Sequence, residues 1–332
     1  MKKTLRIFFA AMLGLALISC DNDKSATIPE HPLAKATVSV CGHTTVSKAT
    51  GVTSSQEDNI CDLQLFVFNE DDALEYYTNA GSSDTGEIIV EEGKKTIVAF
   101  VNAPDVVNIE DISSLFEQTS RLSDNTLGSM VMTGSVETTV QDGGTITIQV
   151  TRLISKVSIK KITSSFKSAT YSSKEFKINS IYLINVAGDN SYSGASEPGT
   201  WYNKLYNGAN DPSAGSFALL SDPVGKTVAY NSSYSNEHTF YCYPNPTVDE
   251  SFDSTWCPRH TMLVVDATLG GEQTYYPVEL PVIGRNKSII IEELIITRKG
   301  SDYPYMPVTD DTCNVNVEVV DWDVILNYTE TI

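Results

Sequence analysis

Short alternating runs of apolar and polar residues dominate the chain. Residues 145–151 and 153–159 both alternate in this way, as Ile146, Ile148 and Val150 illustrate. Because successive side chains of a strand point to opposite faces of a sheet, a period of two predicts half-buried strands. The pattern therefore predicts a mainly β chain.

A second group of segments is apolar on both sides. This pattern is typical of strands in the interior of a sandwich, where both faces are covered. The segments are residues 63–68, 96–101, 181–186 and 288–296. Clusters of Asn, Asp and Gly separate them, so we expect short strands joined by turns.

One segment departs from the period of two. Residues 109–122 carry Ile112, Leu115 and Phe116 at helical spacing, and Asn108 precedes them as a candidate N-cap. The spacing predicts one short helix in the first half of the chain.

The strand pattern also predicts where the chain divides. One alternating strand ends near residue 150 and the next begins almost without a loop. We expect two β-sandwich domains in series, residues 36–150 and 151–332, and a chain of 332 residues is long enough for both. A polar insertion at residues 188–234 is predicted to be a surface loop.

The start of the chain has the layout of an export signal. Basic residues precede an apolar run at residues 7–16, which leads into Leu17-Ile18-Ser19-Cys20. This ending resembles a bacterial lipobox, in which Cys20 is lipidated and becomes the mature N-terminus. The alternative is an ordinary signal peptide with a chance cysteine.

We therefore divide the start into a lipoprotein signal peptide, residues 1–20, and a tether, residues 21–35. The tether contains Pro29 and Pro32 and little apolar content. No other segment has the uninterrupted apolar length of a membrane span, so the lipid is the expected anchor.

Charge and motifs exclude several classes of function. The chain has 42 acidic and 23 basic residues, a net charge of −19, so nucleic acid is not an expected partner. It contains no GxSxG, P-loop or GxGxxG motif and no CxxC, HxxxH or HExxH spacing. We therefore expect no enzyme activity, no cofactor and no metal site.

Cysteine usage fits export without defining a framework of disulfides. Five cysteines remain besides Cys20, so they cannot all pair within one chain. Cys242 and Cys257 flank a polar loop, where a disulfide is one option.

The C-terminal strand pattern changes phase between Val319 and Val320. Apolar side chains fall on odd positions before this point and on even positions after it. Because strand side chains alternate strictly, the chain must bulge, bend or change its partner there. The candidate donor side chains are Val320, Trp322, Val324, Leu326 and Tyr328.

Two interpretations of this phase change stay open. The final strand either bulges and stays in its own sheet, or detaches and completes a neighbouring subunit by β-augmentation.

Several segments, taken in order, carry a family resemblance. They are the lipobox, residues 36–41, the ICDLQLFVFN run at 60–69 followed by Leu74-Glu75, residues 101–103 and 132–134, the RLISKVSI run at 152–159, residues 243–245, and the VEVVDW run at 317–322. In this order and spacing they resemble the fimbrillin family, the type V pilins of Gram-negative gut and oral bacteria.

The resemblance implies transthyretin-like sandwiches and export to the outer membrane with a palmitate-type lipid on Cys20. It further implies a surface fimbria that supports adhesion and biofilm formation. Proteolysis would remove the first strand, and a strand of the next subunit would replace it. The candidate displaced side chains are Ala36, Val38 and Val40. Such head-to-tail contacts do not close, so they build a homopolymeric filament, with anchor and tip proteins as further partners.

One departure from the family concerns processing. Its best-known members are cut after arginine in the loop after the first strand, but residues 21–120 contain no arginine. Either another protease cuts, with Lys48 as the candidate site, or the chain keeps its lipid and first strand as an anchor subunit.

A tip subunit and a glycan-binding surface lipoprotein are the remaining alternatives. Trp201, Tyr202 and Tyr206 lie in the polar insertion and offer aromatic faces to sugar rings. Ligands on host or bacterial surfaces would then be partners.

Overall fold

The protein is mainly β, as the sequence predicts. The structure is a computed structural model that describes residues 32–42, 56–206, 209–211, 219–248, 257–306 and 313–322. Strands make up most of the described residues, and the helices among them are short.

The first half of the described chain builds one large sheet. Its strands are β1 (Leu33–Gly42), β2 (Leu63–Phe68), β3 (Leu74–Asn79), β4 (Thr85–Glu91), β5 (Gly93–Val101), β6 (Thr119–Arg121), β7 (Met132–Val140) and β8 (Thr145–Arg152). All except β6 form a seven-stranded sheet in the order β3-β2-β5-β7-β8-β1-β4.

β2 and β5 lie inside this sheet and are covered on both faces. Leu65 and Val67 of β2 belong to a core cluster that also contains inward residues of β1, β4 and β8. Phe66 and Phe68 point the other way, into the largest core cluster of the described chain. Burial on both faces explains why these strands are continuously apolar.

The second half forms two further sheets and several short strand pairs. Its strands are β9 (Ser155–Ile159), β10 (Ile162–Ser164), β11 (Phe176–Ile184), β12 (Val186–Ala187), β13 (Asp189–Ser191), β14 (Trp201–Tyr202), β15 (Lys204–Tyr206), β16 (Ala209–Asp211), β17 (Ser221–Val228), β18 (Ser232–Tyr234), β19 (His238–Cys242), β20 (Met262–Leu269), β21 (Glu272–Glu279), β22 (Lys287–Ile296) and β23 (Cys313–Asp321).

These strands form a β-sandwich. One sheet has six strands. Five of them follow the order β18-β10-β22-β9-β19, and the sixth, β23, also pairs with β22. The other sheet has four strands in the order β17-β11-β20-β21. Val157 and Ile291 of the first sheet and Ile181 and Val265 of the second belong to one core cluster. The two sheets therefore pack their inward faces together.

The predicted helix at residues 109–122 is shorter in the structure. Helix α1 covers Ile112–Glu117 and begins at Asp111, whose carboxylate accepts the amide of Ser114 in a capping box. Asn108, the predicted cap, has a φ of 61° and lies outside the helix. A second short helix, α2 (Ala169–Ser172), adds to the single helix that was expected.

Part of the polar insertion at residues 188–234 is not a surface loop. β13 pairs with β6, which belongs to the first half of the chain. Trp201 pairs with Ala187 and is only 8% exposed. The surface-loop prediction is wrong for this part. A segment rich in Gly, Ser and Asn has no alternating apolar pattern, and its strands form because they pair with strands distant in sequence.

The division into domains near residue 150 stays a prediction. β8 ends at Arg152 and β9 begins at Ser155, so the chain leaves the seven-stranded sheet at that point. The largest core cluster nevertheless contains buried residues from both sides, including Phe100 and Val157.

Arg285 ties the two halves together. Its guanidinium donates hydrogen bonds to the carbonyl oxygens of Thr133, Thr151 and Arg152 over 2.9–3.1 Å. Burial lowers the pKa of Arg285 to about 10. This side chain holds the loop before β22 against the ends of β7 and β8.

Candidate functional site

β1 occupies an interior position in the seven-stranded sheet. It runs antiparallel to β4, with Ala36 opposite Ile88, and parallel to β8, with Val38 opposite Ile146. Both edges of β1 are therefore paired. Its removal would expose unpaired backbone groups on both neighbouring strands.

The predicted displaced side chains point into the core. Ala36, Val38 and Val40 are 2%, 0% and 5% exposed, and Ala34 before them is 0% exposed. They pack in the cluster that contains Leu65 of β2. Without β1, this face would be an apolar groove along the sheet. The removal itself stays a prediction.

The predicted positions of lipidation and cleavage, Cys20 and Lys48, lie outside the described residues. β1 ends at Gly42, and the description resumes with a 3₁₀ turn at Gln56–Asp58. That turn contains Glu57, which belongs to the second part of the site.

The last described strand, β23, pairs only with β22. The pairing is antiparallel and extends to Lys287 opposite Asp321. Val315 and Val319 are 41% and 45% exposed, whereas Trp322 is 6% exposed. β23 is therefore an edge strand with a buried end.

The phase change at Val319 and Val320 does not coincide with a break in this pairing. Val319 lies opposite Ile289 and Val320 opposite Ser288, and the register shift occurs earlier, between Ile291 and Glu293 of β22. Val315 and Val319 are exposed and Val317 is partly buried, and the change of phase brings Trp322 onto the body of the protein.

Three of the candidate donor side chains, Val324, Leu326 and Tyr328, lie outside the described residues. Val320 and Trp322 contact residues of their own subunit. The assignment of a donor strand stays a prediction.

Glu57 lies at the centre of a polar cluster around Trp322. Its carboxylate accepts the Tyr241 hydroxyl at 2.7 Å and the Trp322 indole N–H at 3.1 Å. It also forms an ion pair of 3.1 Å with Lys156. Glu57 lies shortly after residues 43–55, and Trp322 is the last described residue. The hydrogen bond between them therefore links two segments that are far apart in the sequence.

Trp322 is held from several directions. The Arg152 guanidinium lies 4.4 Å from the ring centroid, and Tyr241 stacks on the ring at a centroid distance of 5.6 Å. Arg152 forms an ion pair with Asp58, and the Trp322 amide donates to the Asn286 carbonyl over 3.0 Å. We call Glu57, Arg152, Lys156, Tyr241 and Trp322 the Trp322 cluster.

The charges in this cluster depend on one another. Burial alone would raise the pKa of the Glu57 carboxyl, but the Lys156 ammonium and the hydrogen bonds from Tyr241 and Trp322 lower that pKa below its ordinary value of 4.5. Burial and the Glu57 carboxylate raise the pKa of the Tyr241 phenol above 10.0. Glu57 is therefore the anion that the cluster surrounds.

Sequence reasoning placed Trp322 in the site but missed its partners. Glu57, Arg152 and Tyr241 come from three distant segments. No local spacing links them, so only the paired sheets bring them together. Charged residues beside an aromatic residue near a terminus were the one available signal.

The aromatic residues of the insertion do not form an exposed platform. Trp201 packs in the large core cluster, and Tyr202 is partly buried against it. Tyr206 lies outside the residues whose side chains are described. The glycan-binding alternative therefore loses Trp201 as a contact residue.

Cys242 is buried and carries a free thiol. The optional disulfide with Cys257 is not present. Burial raises the pKa of the Cys242 thiol to about 12, so this thiol stays protonated at neutral pH.

Within the described residues, no group of three or more His, Cys, Asp or Glu side chains is arranged to hold a metal ion. The same residues contain no helix of the length and apolar character that a membrane crossing requires.

Comparisons with known structures support a shared fold. The chain is 18% identical to a proposed cell adhesion protein from Bacteroides eggerthii, with a TM-score of 0.64 over 87% of this chain and 96% of that one. A fimbrilin from Porphyromonas gingivalis gives 15% identity and a TM-score of 0.60 over 87% and 97%. A C-terminally truncated tip fimbrial protein of the same species gives 12% and 0.54 over 88% and 100%.

Sequence comparison gives one family match. A search of curated proteins finds no match. Residues 34–180 match the family model described as major fimbrial subunit protein, FimA. This range begins in β1 and includes the buried strands β2 and β5. The match over these residues supports the resemblance to the fimbrillin family that the sequence motifs carry.

Proposed function

We propose that this protein is a structural subunit of a fimbria and joins its neighbours by strand exchange. It is exported as a lipoprotein through Cys20, loses β1 by cleavage at Lys48, and accepts a strand of another subunit in the vacated groove. The position of β1 carries this proposal. Ala36, Val38 and Val40 fill a core groove between two paired edges, which an incoming strand can fill in the same way.

The Trp322 cluster supports a donated segment that begins after Trp322. Val320 and Trp322 have partners in their own subunit, so the donor starts after Trp322. A segment of 10 residues, the length of 323–332, would reach roughly 33 Å if fully extended, and β1 is also a strand of 10 residues. Glu57 follows the candidate cleavage site, so processing leaves the cluster intact.

Truncation after Trp322 tests this function. The truncated chain keeps the Trp322 cluster, so the monomer should melt within about 2 °C of the full chain. Polymers that contain this chain together with other fimbrial subunits, seen as a ladder of heat-sensitive oligomers in gel electrophoresis, should disappear. Truncation after Asn327 is the matched control and should weaken assembly less. Fibres formed by the chain that ends at Trp322 would contradict strand donation.

Sequencing the N-terminus of assembled subunits tests the processing step. Cleavage after Lys48 predicts that the mature chain begins at Ala49. A start at Cys20 would show that β1 is kept and would favour the anchor role.

A further inference from the structure

One end of the groove that β1 fills is narrow. Ala34 lies opposite Val90 and Ala36 opposite Ile88 on β4. All four side chains are at most 2% exposed, so the larger neighbours occupy the space that the two methyl groups leave. Protein cores are closely packed, so this end has little room for a longer side chain.

The other end is wider. Val38 lies opposite Gly86, which has no side chain. A Cβ at Gly86 would lie 2.7 Å from the Cδ1 atom of Leu65, so that position must stay glycine while Leu65 is in place. Leu65 occupies the space beside Gly86, and Val38 and Val40 are the buried β1 residues at this end of the groove. The groove therefore fits two small side chains and then two β-branched ones.

We propose that the groove accepts a strand that is small at two successive inward positions and β-branched at the next two, and that this strand comes from a subunit other than a second copy of this chain. The inference rests on the proposed function and specifies its partner. A different fimbrial subunit supplies the donor, and this chain occupies a junction between unlike subunits.

The tail of this chain does not have the required pattern. Its even phase reads Val324, Leu326, Tyr328, Glu330 and Ile332 after Trp322. In either chain direction, any four successive even positions place a residue larger than valine where Ala34 or Ala36 now lies.

The odd phase of the tail is also unsuitable. Any four successive odd positions from residue 323 onward include Asn327. Its amide would be buried in an apolar groove, which weakens binding unless it finds hydrogen-bond partners.

A side chain that is too large by one or more methylene groups should lower the affinity for a closely packed groove by roughly 10-fold. Backbone pairing gives the same number of hydrogen bonds to any extended strand. Side-chain size at the inward positions therefore discriminates between donors.

Peptide exchange tests the inference. The full chain receives one site for a sequence-specific protease within residues 43–55, is cut there, and is mixed with labelled peptides that compete with β1. The peptides are the β1 sequence 33–42, the tail 323–332, a resized tail and a control tail. The resized tail carries Val324→Ala, Leu326→Ala, Tyr328→Val and Glu330→Val. The control tail carries Ile325→Ala, Thr329→Val and Thr331→Val and keeps Asn327, so neither of its phases has the required pattern.

We expect the natural tail to bind at least about 10-fold more weakly than the β1 peptide, and the resized tail to recover to within about 3-fold of it. The control tail should not recover. Equal binding of the natural tail and the β1 peptide, or no difference between resized and control tails, would overturn the inference. Failure of the β1 peptide to exchange would instead overturn the proposed strand exchange, and this inference with it.

Variants of the uncut chain give a second measurement. Ala36→Leu should lower the melting temperature clearly more than Thr37→Leu on the exposed face. Where Ala36→Leu does not fold, Ala36→Val replaces it. If neither Ala36→Leu nor Ala36→Val lowers the melting temperature, the groove is wide at this position, which would contradict the size limit.

Discussion

The first and last described strands are held in different ways. β1 is paired on both edges and buries one full face in a core cluster. β23 is paired on one edge, Val315 and Val319 are exposed, and Val317 between them is partly buried against the core. Its end is fixed by Trp322, which belongs to the largest core cluster and also contacts charged and aromatic side chains.

This difference suits the two strands to different roles. An apolar groove with two paired edges holds any strand of suitable size, so its occupant is exchangeable in principle. The Trp322 cluster depends on particular donors, acceptors and charges, so it holds one residue at one place. The groove provides a place for exchange, and the cluster provides a fixed origin for the tail.

The largest expected effect comes from a charge in the groove. Val38→Asp buries a carboxylate without a partner and should destabilise the monomer by about 3–5 kcal/mol, enough to prevent stable folding. Thr37→Asp on the exposed face is the matched control and should change stability by less than about 0.5 kcal/mol. Urea unfolding followed by circular dichroism measures both. Equal stabilities would show that β1 is not held by its inward face.

Removal of the tail's anchor should have the next largest effect. Trp322→Ala loses the stacking, the cation–π contact and the hydrogen bond to Glu57, and should cost about 3 kcal/mol. Val319→Ala on the exposed side of the same strand should cost less than about 0.5 kcal/mol. Thermal unfolding of both variants separates the two contributions. Similar losses would mean that the edge strand, rather than the anchor, holds the tail.

The smallest expected effect is the dependence on pH of the stability that Glu57 contributes. The pKa of Glu57 is lower in the folded state than its ordinary value of 4.5. Its stabilising contribution is therefore complete above that value and is lost as the pH falls through the folded pKa. Glu57→Gln should cost about 1–2 kcal/mol at pH 7.

The pH titration can be compared with Tyr241→Phe, which keeps the carboxylate but removes one of its donors. The difference in melting temperature between the natural chain and Glu57→Gln should shrink between pH 6 and pH 3. A constant difference would assign the stabilisation to packing instead of charge.

Much of the strand pattern was predictable because it depends on local alternation. The continuous apolar run at residues 63–68 matches β2, Leu63–Phe68, and the alternating run at 145–151 lies within β8, Thr145–Arg152. The helix was predicted too long, since its actual limits depend on the Asp111 cap and on the pairing of β6 with β13.

The candidate site was predictable only in part. The inward phase of Ala36, Val38 and Val40 follows from alternation, and so does the change of phase before Trp322. Neither pattern indicates which strands flank β1 or which charges surround Trp322. Those contacts link residues at least 46 positions apart, from Ser39 opposite Thr85 to far longer separations such as that of Glu57 and Tyr241.

The sequence by itself determined the mainly β character, the inward and outward faces of individual strands and the family resemblance. These follow from local periodicity and from short ordered motifs. Only the tertiary structure decided that β1 lies between β4 and β8, that Ala36 lies opposite Ile88, and that Glu57 holds Trp322. The physical reason is that a strand's own side chains set its faces, whereas its neighbours are chosen by the packing of the whole core.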